Sequence, residues 1–235
     1  MDQKITTIQL TKLGVDTVFM SFLEVLIDRR IDVLFAIQEH LVLVFTPVLL
    51  AAVISIPLGI LATRYRWVEV PVMNIANIFQ TIPSLALLAL MIPLGLGIGQ
   101  KPALVALFLY ALLPILRNTY IGIRNVDESV KEAAKGMGMT YFQILYMVEL
   151  PIALSVIMGG IRTATVIIIG TATLAAMIGG GGLGDFIVTG LGMVRNELIL
   201  LGAIPAAVLA LIAEFALGRL ERILTPRGLR IARDS

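Results

Sequence analysis

Five long runs of apolar residues, each with at most one charged side chain, constrain the fold of this chain more than any other feature of its sequence. A helix needs about 20 apolar residues to cross a bilayer, and a backbone inside lipid must satisfy its own hydrogen bonds. The runs therefore predict an all-α membrane protein with five core transmembrane helices. They cover residues 41–63, 70–100, 102–116, 152–178 and 198–218, so we expect a membrane domain over residues 41–218 and a basic tail at 219–235.

The composition excludes a soluble globular domain. Hydrophobic residues make up 58% of the chain and charged residues only 14%, whereas a soluble domain carries about 25% charged residues. The absence of cysteine excludes disulfides and thiol chemistry. The sequence contains no phosphate-binding glycine loop, metal-ligand cluster or nucleophile–base set. We therefore expect a lipid-embedded protein that is not an enzyme, has no catalytic residue, holds no metal or cofactor, and binds no nucleic acid.

The segment before the first run, residues 1–40, is less apolar. Residues 17–27 carry only Glu24 as a charge, and the charged residues 28–30 end this short stretch. A stretch of this length is too short for an untilted spanning helix and fits the membrane interface better. We predict an interfacial or partly inserted helix here, with a tilted sixth span as the alternative.

Basic residues between the runs predict the orientation of the chain, because cytoplasmic loops are enriched in lysine and arginine. One set of alternate connections carries Arg64, Arg66, Arg117, Arg124, Lys131, Lys135, Arg219, Arg222, Arg227, Arg230 and Arg233. The opposite connections carry only Lys101 and Arg195. We therefore predict that the loop at about residues 125–151 and the C-terminal tail are cytoplasmic.

A polar stretch in that cytoplasmic loop reads EAAKGMG over residues 132–138, and VELP follows at residues 148–151. Ser129 and Glu132 have the spacing of a capping box, which predicts a helix start. Gly138 suits the left-handed position that ends a helix. The stretch therefore predicts a short helix that stops at Gly138.

A second short helix is predicted after Gly138. Thr140 and Gln143 also have capping-box spacing. Pro151 lacks a backbone donor and disfavours helix at the preceding residue, Leu150. The loop is therefore predicted to contain two short helices joined at Gly138.

The spacing of these residues resembles the EAA loop of ABC-importer permeases, which reads Glu-Ala-Ala, three residues, Gly, nine residues and Ile-x-Leu-Pro. The matching residues here are Glu132, Ala133, Ala134, Gly138, Leu150 and Pro151, with Val148 in place of Ile. The resemblance implies a MetI-like permease fold in which these six residues couple the chain to a partner ATPase. An ordinary amphipathic connector is the alternative interpretation.

Two further segments are similar to the osmoprotectant branch of these permeases, which carries glycine betaine, carnitine, choline and related solutes. They are residues 79–89 and residues 170–184. Their polar and helix-distorting residues are candidates for lining a substrate path, because broken backbone is tolerated where it faces a water-filled cavity. These candidates are Gln80, Thr81, Pro83, Ser84, Thr171 and Thr173. Helix packing and interhelical hydrogen bonds are the alternative role for them.

The glycine run at residues 179–182 predicts a turn rather than a helix, because each interior glycine costs a helix about 1 kcal/mol relative to alanine. We interpret it as the outer end of a span, with a gate hinge as the alternative. The single histidine, His40, is interpreted as marking the membrane edge rather than serving as a catalytic base.

Two charges lie within the apolar runs, where charged residues are costly and default to functional hypotheses. Arg162 has two predicted roles, pairing with an acid of a partner subunit or extending toward the cytoplasm. Glu214 is predicted to pair with Arg219 or Arg222, which follow it at the basic end of the last run.

The resemblance also implies partners and a location. It implies a type I ABC importer in the prokaryotic inner membrane, with a pair of ATPases that bind ATP and Mg²⁺, an extracytoplasmic substrate-binding protein, and a second permease that is a copy or a paralogue. A passive channel or ion-coupled carrier for small solutes is the alternative function, and a membrane scaffold is a third.

The predicted orientation can be tested by cysteine labelling, because the native chain contains no cysteine. Arg230→Cys should react only with a thiol reagent that has reached the cytoplasm, whereas Lys101→Cys should react with an impermeant reagent added outside. The comparison of labelling in intact and permeabilised cells measures both. The opposite pattern would invert the orientation and remove the coupling loop from the cytoplasm.

Overall fold

The computed structural model describes residues 20–225, and every regular element in that range is helical. The α-helices are α1 (residues 20–28), α2 (Arg30–Arg64), α3 (Arg66–Thr81), α4 (Ser84–Leu90), α5 (Gln100–Arg124), α6 (Glu128–Gly136), α7 (Tyr141–Ile144), α8 (Leu150–Ala172), α9 (Leu183–Met193) and α10 (Asn196–Leu224). Wider π turns occupy Ile92–Leu96 and Leu145–Glu149, and a tighter 3₁₀ turn occupies Thr173–Ile178.

The helices that are long and apolar enough to cross a membrane follow the predicted runs. Four such stretches occur in the described range, namely Arg30–Arg64, Gln100–Arg124, Tyr141–Ile178 and Asn196–Leu224. The pair Arg66–Thr81 and Ser84–Leu96 makes a fifth only if it is counted as one broken span, because the two helices meet at an angle of 101°. The all-α membrane fold is therefore confirmed, and the second predicted span is a broken one.

The first spanning helix begins earlier than its apolar run. Helix α2 starts at Arg30 and is continuous for 35 residues, so residues 30–40 extend the first span. Pro47 and Pro57 lie inside it without ending it. A helix of this length extends about 52 Å, which exceeds the hydrocarbon thickness. Part of α2 therefore projects beyond the bilayer core.

Helix α1 covers most of the short segment that was predicted as an interfacial or partly inserted helix. Residues 20–27 are helical as predicted, whereas residues 17–19 lie outside the described range. Phe22 of α1 packs with Val33 of α2 and with Leu198 and Leu201 at the start of α10. These contacts hold α1 against the end of the bundle where α10 begins.

The main apolar core lies where α2, α5 and α8 meet. Leu43, Leu107, Ile115 and Ile168 are fully buried there. Helix α4 contributes Leu87 and Leu88 to the same cluster, and the 3₁₀ turn contributes Ala175 and Ile178. The broken span and the end of the fourth span are therefore built onto one core.

Small residues allow the central helices to approach closely, as is usual where lipid offers no hydrophobic driving force between helices. Gly160 of α8 packs against α5, where a Cβ atom would lie 2.6 Å from Cβ of Asn118 and 2.8 Å from the carbonyl oxygen of Pro114. The adjacent Gly159 has open space at the equivalent position. One glycine of this pair is therefore required by packing and the other is not.

We predict that Gly160→Ala destabilises the protein, because overpacking at a close helix contact costs about 1–3 kcal/mol. Gly159→Ala is the matched control, and it should be neutral or slightly stabilising because alanine favours helix by about 1 kcal/mol. Thermal unfolding of the detergent-solubilised protein measures both. Equal melting temperatures for the two variants would contradict the close α5–α8 contact.

Candidate functional site

Helix α6 contains the predicted coupling residues Glu132, Ala133 and Ala134, and its N-cap lies two residues earlier than the capping box predicts. Asp127, not Ser129, is the N-cap, because its carboxylate accepts the Ser129 amide at 2.9 Å. The predicted Ser129–Glu132 box is therefore wrong. The Ser129 amide and hydroxyl stabilise the ionised carboxylate and lower the pKa of Asp127, so this cap remains charged at neutral pH.

The end of α6 forms as the sequence predicts. Gly138 has φ of +79°, in the left-handed region. Its amide bonds to the carbonyl of Lys135 at 2.9 Å, and the Met139 amide bonds to that of Ala134 at 3.2 Å. These two bonds form a Schellman motif, which satisfies carbonyls that would otherwise be unpaired at the helix end. The prediction of a left-handed stop at Gly138 is confirmed.

The second short helix begins at the predicted capping box but does not end before Pro151. The Thr140 amide donates to Gln143 Oε1 at 2.7 Å, and the Gln143 amide donates to Thr140 Oγ1 at 3.5 Å. Helix α7 then continues through the π turn Leu145–Glu149 into α8. Leu150 is helical, with φ −63° and ψ −45°, so the expectation that Pro151 disfavours helix at this residue is wrong.

The π turn explains why the proline is tolerated. The Leu150 amide reaches back five residues to the carbonyl of Leu145. In a regular α-helix the ring of Pro151 would clash with the carbonyl four residues before it. A π turn adds a residue to one turn, shifts that carbonyl and commonly marks a functional position. The coupling loop is therefore stiffly connected to the fourth span.

The six predicted coupling residues divide into exposed and packed positions. Glu132, Ala133 and Gly138 are exposed, whereas Ala134 is buried and Leu150 and Pro151 are partly buried. Large apolar side chains that were not singled out from the sequence are exposed beside them, namely Met137, Tyr141, Phe142, Tyr146 and Met147. The spacing of Phe142 and Tyr146, four residues apart, was the available signal for a shared helix face.

Two polar clusters that sequence reasoning missed lie at the ends of this loop. Arg64, at the end of α2, forms an ion pair with the buried carboxylate of Glu149. Its guanidinium also lies over the ring of Tyr141, 4.9 Å from the ring centroid. In the second cluster the Tyr120 hydroxyl donates to Glu69 at 2.6 Å, and Arg124 contacts both.

The predicted substrate-path residues around Pro83 lie at the break in the second span. Helix α3 ends at Thr81 and α4 begins at Ser84, so Ile82 and Pro83 form the break. The hydroxyl of Tyr110 on α5 donates to the Ile82 carbonyl. A distortion at residues 80–84 is therefore present where it was predicted, and a neighbouring helix satisfies one of its exposed backbone groups.

The hydroxyls of Thr81, Thr171 and Thr173 each bond to a carbonyl of their own span rather than to the other candidate path segment. Thr81 Oγ1 donates to the Ile78 carbonyl at 2.8 Å. Thr171 and Thr173 donate to the carbonyls of Ile167 and Gly170 at 2.9 and 2.7 Å. Helix α4 packs beside the 3₁₀ turn, so the segments adjoin through apolar residues. A role in lining the path remains a prediction for all six residues.

The glycine run forms a turn, as predicted. Gly179, Gly181 and Gly182 all have φ between +75° and +82°. The Gly182 amide donates to the carboxylate of Glu39 at 3.0 Å, which attaches the turn to α2. The next residue on α2, His40, is fully buried, and its Nε2 lies 3.2 Å from the Ile169 carbonyl. His40 therefore contacts α8 inside the bundle.

The charges within the spans pair with each other in this chain. Arg162 Nε lies 3.5 Å from the carboxylate of Glu214, and Nη1 lies 3.4 Å from that of Glu221. The guanidinium thus joins α8 to α10. The predicted pairing of Glu214 with Arg219 or Arg222 is therefore wrong. Arg162 pairs with acids of its own chain rather than with an acid of a partner subunit. Among the described residues, no group of His, Asp or Glu side chains is placed to hold a metal ion.

Comparisons with known proteins agree with this architecture. Residues 55–228 match the family described as binding-protein-dependent transport system inner membrane component. The chain is 53% identical over 196 residues to the carnitine transport permease protein OpuCB of Listeria monocytogenes, covering 83% of this chain and 89% of that protein. It is 48% identical over 199 residues to the choline transport system permease protein OpuBB of Bacillus subtilis strain 168, covering 85% and 91%. An inward-facing MetNI methionine ABC transporter structure is similar with TM-score 0.73 and 26% identity, covering 83% of this chain and 96% of that one.

The left-handed stop of α6 generates a structural prediction. Gly138→Val should open the two bonds of the Schellman motif, because a left-handed conformation costs a β-branched residue about 1–3 kcal/mol. Amide exchange in peptides that cover residues 134–140 should accelerate about tenfold, because a loss of about 1.4 kcal/mol of local stability raises the exchange rate by a factor of ten. Hydrogen-exchange mass spectrometry in nanodiscs measures it.

Gly136→Val is the matched control for this experiment. Gly136 lies two residues earlier on the same helix end, has the same open space at its Cβ position, and does not have positive φ. The Gly136→Val substitution should therefore leave exchange of the Gly138 and Met139 amides near the native rate. Equal acceleration by both substitutions would show that bulk, rather than backbone conformation, disrupts the loop.

Proposed function

The chain belongs to the family of binding-protein-dependent transport system inner membrane components, and on that premise we propose that it is one of two permease chains in an ATP-driven importer of small osmoprotectants. One observation carries the substrate class. Identity near 50% extends over more than four fifths of both chains to permeases named for carnitine and for choline. We therefore infer carnitine, choline, glycine betaine or a closely related solute as the cargo.

Family membership agrees with the resemblance that was drawn from residues 132–151. The chain is a multi-pass membrane protein and a permease, with no chemistry of its own required for transport. We propose that ATP hydrolysis takes place on two partner ATPases that hold ATP and Mg²⁺. A separate extracytoplasmic binding protein delivers the solute, and the second permease is either another copy of this chain or a paralogue.

The coupling loop supports the proposed contact with the ATPase. Its helix presents Glu132 and Ala133 to the aqueous phase and is closed at both ends, by Asp127 and by Gly138. Exposed apolar side chains such as Met137 and Phe142 lie next to it. Exposed apolar groups of this size on a polar surface are typical of protein interfaces. We therefore infer that this surface docks on the ATPase.

The proposed orientation places the coupling loop and the C-terminal tail in the cytoplasm. The basic residues of the alternate connections are the main support for this placement. Arg64, Arg124 and the coupling loop lie at one end of the bundle, since Arg64 contacts Glu149 and Arg124 directly precedes the loop. All three are therefore assigned to the same side of the membrane.

Selectivity is assigned to the binding protein rather than to this chain. A quaternary amine has no proton to donate, and proteins hold such cations by cation–π attraction in aromatic cages. The single tryptophan, Trp67, lies in the first turn of α3, next to Arg66 and fifteen residues before the break at Ile82. We therefore infer that this chain contributes no tryptophan cage to the path and binds its cargo weakly, which allows release after a change in state.

Transport by the reconstituted complex tests this proposal. Complexes of the permease and its co-expressed ATPase, in proteoliposomes with the binding protein, should take up labelled choline, carnitine or glycine betaine only when ATP is enclosed. Unlabelled members of the same set should compete, whereas neutral amino acids without a quaternary amine should not. Uptake without ATP would favour a channel or carrier instead.

Two variants separate the coupling role from the path role. Gly138→Val should assemble normally yet hydrolyse ATP with strongly reduced uptake, whereas Gly136→Val should transport like the native chain. Thr81→Val should change the uptake rate of all accepted solutes together. A change in preference among solutes caused by Thr81→Val alone, with the binding protein unchanged, would move specificity into this chain and contradict the division of roles.

A further inference from the structure

Both ends of the coupling segment, residues 125–149, are attached to one short corner between the first two membrane helices. Helix α2 ends at Arg64 and α3 begins at Arg66, with only Tyr65 between them in an extended conformation. Arg64 forms the ion pair with Glu149, the last residue of the segment. Glu69, in the first turn of α3, contacts Arg124, the residue that precedes the segment. We call residues 64–69 the α2–α3 corner.

The attachment at Glu149 is the stronger of the two by its burial. Glu149 is 1% exposed and therefore needs a cationic partner, because a buried charge without one costs several kcal/mol. The π turn Leu145–Glu149 ends at this residue. Tyr141, at the start of α7, lies on the other side of the Arg64 guanidinium, which adds a cation–π contact. Arg64 thus contacts the first residue of α7 and the last residue of the π turn.

The attachment at Arg124 is more open. The Tyr120 hydroxyl donates to Glu69 Oε1 at 2.6 Å, and Arg124 donates to the same hydroxyl. Arg124 Nη1 also lies 3.7 Å from Glu69 Oε1, and the Glu69 side chain is 31% exposed. Two residues of one helix turn on α5 therefore hold the start of α3.

The corner leads directly to the broken span. Helix α3 runs for 16 residues from Arg66, about 24 Å, and ends at the break around Ile82 and Pro83. At that break the helix is attached to α5 by the bond from Tyr110 to the Ile82 carbonyl. Helix α3 therefore connects the corner directly to residues 80–84, whereas the spans α5 and α8 are packed together in the core.

We propose that the α2–α3 corner transmits movement of the coupling segment to the broken span, and that Glu149 and Glu69 are the positioning residues that attach it. This inference rests on the proposed function as an ATP-driven importer. The two ion pairs make the corner follow the segment, so that closure of the ATPases changes the geometry at residues 80–84.

The test measures the number of solute molecules transported per ATP hydrolysed by the complete importer in proteoliposomes. The probe is whichever of labelled choline, carnitine or glycine betaine gives the highest uptake with the native complex. Glu149→Gln removes the buried charge and should reduce this ratio about tenfold, within the range of coupling between protein sites. Glu69→Gln should reduce it about threefold, because its pair is more exposed and contributes less. ATPase co-purification should be native for both.

Glu197→Gln is the matched control. Glu197 pairs with Arg195 at 2.6 Å at the start of α10, away from the coupling segment, so its removal should leave the ratio unchanged. Native ratios for both Glu149→Gln and Glu69→Gln would overturn the proposal. If the Glu149→Gln variant does not assemble, the test rests on Glu69→Gln alone. A native ratio of solute transported to ATP hydrolysed for Glu69→Gln then overturns the proposal. Absence of ATP-dependent uptake by the native complex would instead refute the proposed function itself.

Discussion

The need to satisfy every backbone amide and carbonyl inside lipid governs this structure, because a helix that breaks in the membrane must find other partners for the groups it frees. Three departures from α-helix near the spans have such a partner. The Tyr110 hydroxyl bonds to the carbonyl at the Ile82–Pro83 break. The π turn before Pro151 bonds five residues back. The glycine turn after the fourth span donates to Glu39. The irregular segments are therefore specific structures rather than weak points.

Two arginines at and within the spans also have acidic partners in the described part of the chain. Arg162 contacts Glu214 and Glu221, and Arg64 contacts Glu149. Each pair joins two helices that are distant in sequence, and each lies toward the end of the bundle that carries the coupling loop. The Glu149 carboxylate is buried, and a buried pair contributes little net stability but strongly penalises arrangements in which it is broken. The Arg64–Glu149 pair therefore selects one relative position of α2 and the start of α8.

The coupling segment and the broken span differ in how firmly they are attached to the rest of the bundle. The coupling segment is capped by Asp127, stopped at Gly138, and continuous through the π turn with α8. The broken span is held at its break by a single hydroxyl from α5 in addition to apolar packing. In the proposed importer, a stiff coupling segment and a more weakly attached broken span would allow a small displacement at the ATPase to alter residues 80–84 without disturbing the core of α2, α5 and α8.

The sequence by itself determined the features that depend on local chemistry. Apolar runs predicted the spans, Thr140 with Gln143 predicted a cap, and the glycines predicted left-handed turns, because hydropathy and backbone freedom belong to neighbouring residues. The start of α6 was missed because Asp127 was a competing cap. Only the tertiary structure decided the continuity through Pro151 and the partners of Arg162 and Glu149. Arg64 and Glu149 are 85 residues apart, so their pairing depends on how the helices pack, which no local pattern contains.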